Sequence, residues 1–70
     1  MKYVAGVEGM MCHMCEKHVV EAVKKNFNVT EVVADNQKKI CEIEADERPD
    51  EAKLAEVIKE EGYTFTGYKD

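Results

Sequence analysis

The sequence predicts an α+β sandwich in the order βαββαβ, with a four-stranded antiparallel sheet and two helices on one face. Three observations predict it. The hydrophobic period alternates between two and about 3.6 residues along the chain. Glycine, asparagine and proline fall where the period changes. The chain has only 70 residues, and a chain of that size buries roughly 60% of its unfolded surface and forms one domain. Residues 1–70 are therefore read as a single unit. Doubly wound sheets and barrels need well over about 100 residues and are excluded.

The first strand is expected at Lys2 to Glu8, where Tyr3, Ala5 and Val7 alternate with Lys2, Val4, Gly6 and Glu8. Gly9 breaks it. From His13 to Phe27 the spacing becomes helical, with Cys15, Val19, Ala22, Val23 and Phe27 on one stripe. Glu16, Lys17, Glu21, Lys24 and Lys25 fall mainly on the other side. The Asn26–Asn28 region is expected to close this helix, because asparagine tolerates the left-handed conformation. Val29 to Asp35 is β-branched and reads as a second strand, and Lys39 to Ala45 as a third, facing inward through Cys41, Ile43 and Ala45. The short Asn36–Lys38 turn makes the pair an antiparallel hairpin. Pro49 is expected in the first turn of a second helix, which runs to Glu61 and buries Leu54, Val57 and Ile58. Gly62 ends it, and Tyr63 to Tyr68 is the last strand. A split βαβ unit of this order is ferredoxin-like.

Composition narrows the function. With 44% hydrophobic residues recurring along the chain, the 36% of charged residues does not signal disorder. A net charge of −5 has the wrong sign for nucleic acid. No apolar run approaches the ~18 residues of a membrane span, and the start MKYVAGVEG lacks a signal peptide's apolar core. Membrane insertion is not expected. Three cysteines argue against a disulfide framework and for a reducing compartment, the cytoplasm. The charge is uneven: Met1 to Cys41 carries +1 and Glu42 to Asp70 carries −6. Two differently solvated surfaces explain this simply. The sharper reading makes Lys17, Lys24 and Lys25 a docking face for an acidic partner.

One constellation carries chemistry: Gly9-Met10-Met11-Cys12-His13-Met14-Cys15, at the junction of strand and helix. Thiols three residues apart there converge on one point. The helix N-terminus stabilises thiolates, and thiolate sulfur suits Cu(I), Zn(II) and other thiophilic ions. Cu(I) accepts two near-collinear thiolates, whereas structural Zn(II) takes four ligands. His18, one turn beyond Cys15, reads as a surface histidine. Cys41 reads as a small buried hydrophobe. Tyr3, Phe27, Phe65 and Tyr68 read as packing.

The stretch Gly9-Met10-x-Cys12-x-x-Cys15 resembles the GMxCxxC pattern of heavy-metal-associated domains, and the resemblance extends over essentially the whole chain, through Val7-Glu8-Gly9-Met10 and Glu61-Gly62-Tyr63. Small bacterial copper chaperones and the N-terminal domains of copper-transporting P-type ATPases are the most similar members. The resemblance implies the βαββαβ fold, Cu(I) held by Cys12 and Cys15, and handover to a partner domain with the same motif. It implies that Met10 tethers the loop without ligating, and that Tyr63 sits close to the metal and shields it. Two departures stand out. Met11 occupies a position where zinc-transporting relatives carry an acid, which shifts the choice toward a soft monovalent ion. His13-Met14 replaces the usual small residues, so that His13 is either a third ligand or bridge between two molecules, or an exposed loop histidine. The geometry of the loop favours the last.

The resulting expectation is an intracellular Cu(I) carrier and not an enzyme. Its partner is a copper-transporting P-type ATPase or a copper-responsive regulator. It is expected to be a monomer without metal, with a copper-bridged dimer as the loaded alternative. Ag(I), Zn(II) and Hg(II) are the competing cargoes. A CxxC dithiol redox protein is the competing class, although the chain is too short for a thioredoxin-type fold. Met1 and the close of the chain after the last strand fit a free-standing protein. A domain excised from a transporting ATPase or mercuric reductase would look the same.

Overall fold

Antiparallel pairing joins four strands into one sheet in the computed structural model, which describes residues 1–69. The chain runs β1 (Lys2–Glu8), α1 (His13–Asn26), β2 (Glu31–Asp35), β3 (Ile40–Glu44), α2 (Glu51–Glu60) and β4 (Thr64–Tyr68). The sheet order β2-β3-β1-β4 puts β1 and β3 at the centre. This is the βαββαβ ferredoxin-like arrangement expected from the sequence.

Period-two alternation decides which side of the sheet is covered. Ala5, Val7, Cys41 and Ile43 are fully buried, while Lys2 and Glu8 are exposed. Val19 and Val23 of α1 and Leu54 and Ile58 of α2 meet Val7, Val32, Cys41 and Ile43 in a single core. Both helices therefore cover the same face. Val33, on the uncovered face, is half exposed. Each fully buried Leu or Ile contributes about 1.5–3 kcal/mol, so Ile43, Leu54 and Ile58 are the largest single apolar anchors.

Apart from one-residue trims that leave Lys39 and Ala45 outside β3 and Tyr63 outside β4, three boundaries differ from the sequence reading. The left-handed residue expected at Asn26–Asn28 is absent: Phe27 is extended (φ −134, ψ 152) and caps α1 through its N–H to the Val23 carbonyl. The Asn26 side chain donates to the Ala22 carbonyl at 2.8 Å, so the helix end is satisfied without it, and the extended step lays Phe27 against the core. The second helix begins after Pro49, with Asp50 as its cap accepting the Lys53 N–H at 3.0 Å. Pro49 lies outside it, buried, with its carbonyl accepting the Tyr68 hydroxyl at 2.7 Å. Capping by aspartate satisfies an otherwise orphaned donor, which proline at the first turn does not. Finally, β2 starts at Glu31, two residues after Val29. Thr30 uses both its N–H and its hydroxyl on the Glu44 carbonyl, at 2.8 and 2.9 Å.

The α2 terminus does follow the sequence. Gly62 has φ +94, its N–H reaches the Lys59 carbonyl at 2.9 Å, and the Tyr63 N–H reaches Ile58 at 3.1 Å. These two bonds form a Schellman closure, and they deliver Tyr63 to the start of β4.

Candidate metal centre

The loop between β1 and α1 turns on Gly9, whose φ of +101 suits glycine. A Cβ there would stand 3.3 Å from Tyr63 Cδ1, so the missing side chain also lets the Tyr63 ring close on the loop. The next two residues part company. Met10 is 7% exposed and packs in the core, while Met11 is 86% exposed. One side chain anchors the loop and the following residues rise to the surface.

Cys12 is the N-cap of α1, in extended conformation (φ −157, ψ 174), and its side chain makes no capping bond. Its carbonyl starts the helix by accepting the N–H groups of Cys15 and Glu16 at 3.1 and 3.3 Å. The thiol is thereby left free of structural work. Cys12 is exposed, Cys15 is half-buried in the first turn, and their sulfurs stand 3.2 Å apart.

The surroundings of Cys15 favour its thiolate. The Tyr63 hydroxyl is the strongest influence, followed by the Met11 N–H and by the Cys12 thiol 3.2 Å away. Partial burial opposes these, yet the Cys15 pKa falls from 9.0 to about 7. The same interaction favours the protonated phenol and pushes Tyr63 up to about 12. Tyr63 therefore remains a donor at neutral pH.

The other sequence candidates separate from this pair. His13 opens α1 with its ring 79% exposed and its Nδ1 3.0 Å from Glu16 Oε1. His18 is exposed. Cys41 is fully buried in β3, and burial pushes its thiol up to about 12. Among the described residues, no three His, Cys, Asp or Glu side chains gather as a metal-binding group. A cleft of about 590 Å³ lies at the far end of α1, between Phe27 and the Asp46–Asp50 loop, and no cysteine or histidine lines it. The three lysines of α1 are exposed. Lys24 and Lys25 occupy the last turn, where they complement the helix dipole.

One residue that the sequence reading assigned only to the outer helix face is tied beyond its own helix. Glu16 joins His13 to the β2–β3 turn, its Oε2 accepting the Asn36 N–H at 2.7 Å. The i,i+3 spacing of His13 and Glu16 signals half of this arrangement. The twenty-residue jump to Asn36 has no local signal.

Two sulfurs without a third donor fit a soft ion of low coordination. They do not fit a four-ligand structural zinc site. No helix among the described residues is long and apolar enough to cross a membrane.

No curated protein matches the chain in sequence. Among solved structures, the CopZ metallochaperone superposes with a TM-score of 0.80 at 22% identity, covering 94% of this chain and 100% of that one. The Cu(I)-loaded N-terminal domain of a potential copper-translocating P-type ATPase from Bacillus subtilis gives 0.75 at 19% identity, over 99% and 90% of the two chains. The apo N-terminal domain of ZntA gives 0.81 at 24% identity, over 97% and 92%. At these identities the likeness concerns the fold. The heavy-metal-associated domain pattern itself matches residues 6–64, spanning the end of β1, the dithiol loop, both helices and Tyr63. The chain belongs to the heavy-metal-associated domain family.

Proposed function

We propose that this protein is an intracellular Cu(I) carrier that delivers its ion by thiolate exchange, without acting on any substrate covalently. The observation that carries the reading is the Cys12–Cys15 pair, with sulfurs 3.2 Å apart on an exposed loop. Cys15 is already biased toward thiolate near neutral pH. Metal–sulfur bonds of about 2.3 Å make a collinear S–metal–S unit of about 4.6 Å. Loading therefore opens the pair by about 1.4 Å. Cys12, exposed and without a capping bond, is the side chain free to swing.

Handover follows from the same features. A partner thiolate attacks the two-coordinate ion, a three-coordinate intermediate forms, and Cys12 and Cys15 leave in turn. The ion keeps its oxidation state, and each departing thiolate is free to take up a proton. Met10 holds the loop base to the core, and Tyr63 covers the Cys15 side. The partner is a domain bearing the same motif, such as a copper-transporting P-type ATPase, or a copper-responsive regulator. The apo protein is a monomer, and copper shared between exposed loops is the route to a dimer. Serine at both Cys12 and Cys15 should abolish stoichiometric Cu(I) binding; tight binding retained by that variant would refute the assignment. Competition among Cu(I), Ag(I), Zn(II) and Hg(II) for the apoprotein then ranks the cargoes.

The close approach of the two sulfurs also suits a redox dithiol, because a disulfide requires them only to close to about 2.0 Å. Insulin-disulfide reduction separates the readings. The carrier reading predicts no appreciable turnover without copper.

A further inference from the structure

Glu16 bonds in two directions. Its Oε1 holds His13 Nδ1 at 3.0 Å and its Oε2 holds the Asn36 backbone N–H at 2.7 Å. The carboxylate is largely buried, 17% exposed, whereas the His13 ring is 79% exposed. Its long-range partner is a main-chain amide in the turn between β2 and β3, which cannot swing away as a side chain can. Glu16 is thus fixed from the sheet side, and His13 is held to a fixed point.

The place of that point matters. His13 lies between the two cysteines in sequence, beside the only thiol pair in the loop. Yet its Nδ1 is engaged by Glu16, one turn along α1, and His13 borders the shallow groove between α1 and β2 together with Lys17, Val20 and Val32. It is not gathered with Cys12 and Cys15 as a third donor. A free imidazole one residue from a ligand would be available to an ion that seeks more than two donors, and Zn(II) is such an ion.

We propose that Glu16 is a specificity-determining positioning residue: it withholds His13 from the dithiol and so keeps the centre at two sulfurs. The proposal rests on the Cu(I)-carrier reading of Cys12 and Cys15. Glu16 touches no metal and acts only through His13. Replacing it frees the ring, adds a nitrogen donor, and moves the preference from Cu(I) toward Zn(II).

Zn(II) affinity is measured by competition with a chromophoric chelator for wild type, Glu16→Ala, His13→Ala and the double variant. X-ray absorption of the Cu(I)-loaded forms accompanies it. Glu16→Ala should bind Zn(II) about tenfold more tightly, at the low end of outer-shell effects on metal affinity. Its copper should gain a nitrogen scatterer. Both changes should vanish in Glu16→Ala/His13→Ala. Glu16→Asp keeps the charge but shortens the reach, and it decides the matter should loss of the Asn36 bond unfold the alanine variant. Zn(II) affinity that is unchanged, lowered, or raised equally in the double variant overturns the proposal while leaving the carrier reading intact. Wild-type copper bound without sulfur from both cysteines overturns the two together.

Discussion

The Tyr63 hydroxyl is the largest of the influences that lower the Cys15 thiol to about 7. Two separate pieces of backbone chemistry make it possible. The Schellman closure at Gly62 delivers Tyr63 to the head of β4, and the absence of a side chain at Gly9 leaves room for its ring. The donor that tunes the thiol is thus positioned by two glycines, neither of which touches sulfur.

Removing that hydroxyl should move the thiol back toward its ordinary value. Tyr63→Phe is expected to raise the Cys15 pKa from about 7 toward 9.0. The pH dependence of thiolate absorbance or of alkylation rate reads this directly. An unchanged titration would show that the Met11 N–H and the helix terminus suffice without the phenol.

The two kinds of thiol make the apo protein's stability depend on pH in opposite directions. Cys15 is depressed in the folded state, so between pH 7 and 9 the unfolded chain binds more protons and stability rises with pH. Cys41 is raised from 9.0 to about 12, so above pH 9 the unfolded thiol ionises while the folded one does not, and stability falls. From these groups the melting temperature should peak near pH 9. Tyr63→Phe should flatten the rise below that pH and, by removing a phenol raised from 10.0 to about 12, also soften the fall above pH 10, leaving the part that Cys41 contributes.

Cys41 itself is packing and not chemistry. A hydroxyl in its place meets a fully buried, apolar site, so Cys41→Ser should cost about 1–3 kcal/mol in urea unfolding. Its Cu(I) stoichiometry should equal that of the wild type.

Gly9 and Gly62 both have positive φ, yet they should respond differently to alanine. Each substitution incurs the left-handed penalty of about 1–2 kcal/mol. At Gly62 a Cβ meets nothing within 4 Å, whereas at Gly9 it meets Tyr63 at 3.3 Å. Gly62→Ala should therefore lower stability alone. Gly9→Ala should also raise the Cys15 pKa by displacing the Tyr63 ring, which the same thiol titration detects.

The element order was legible because the periods of β1, α1, β3 and α2 are set by a face that must be buried, and local pattern records that demand. Cys12 and Cys15 were legible because their spacing and their place at a helix start are local as well. What local pattern does not record is which distant group satisfies a given polar atom. Asp50 displaces Pro49 at the start of α2 because its side chain can cap Lys53. Asn26 needs no left-handed turn because it bonds to Ala22. The slip in pairing between β1 and β4 at Gly6 and Val7 belongs to the same class: a Cβ on Gly6 would collide with the Thr66 hydroxyl, a contact made sixty residues away. Glu16 is a further case, since its second bond spans twenty residues to Asn36.

The account turns on two sulfurs acting as the whole donor set. Titration of the reduced apoprotein with Cu(I) against a competing chelator, followed by X-ray absorption of the loaded form, tests this most directly. The account predicts one Cu(I) per chain, two sulfur scatterers, and complete loss of stoichiometric binding in Cys12→Ser/Cys15→Ser. Stoichiometric binding that survives the double substitution, or wild-type copper with fewer than two sulfurs, would contradict it.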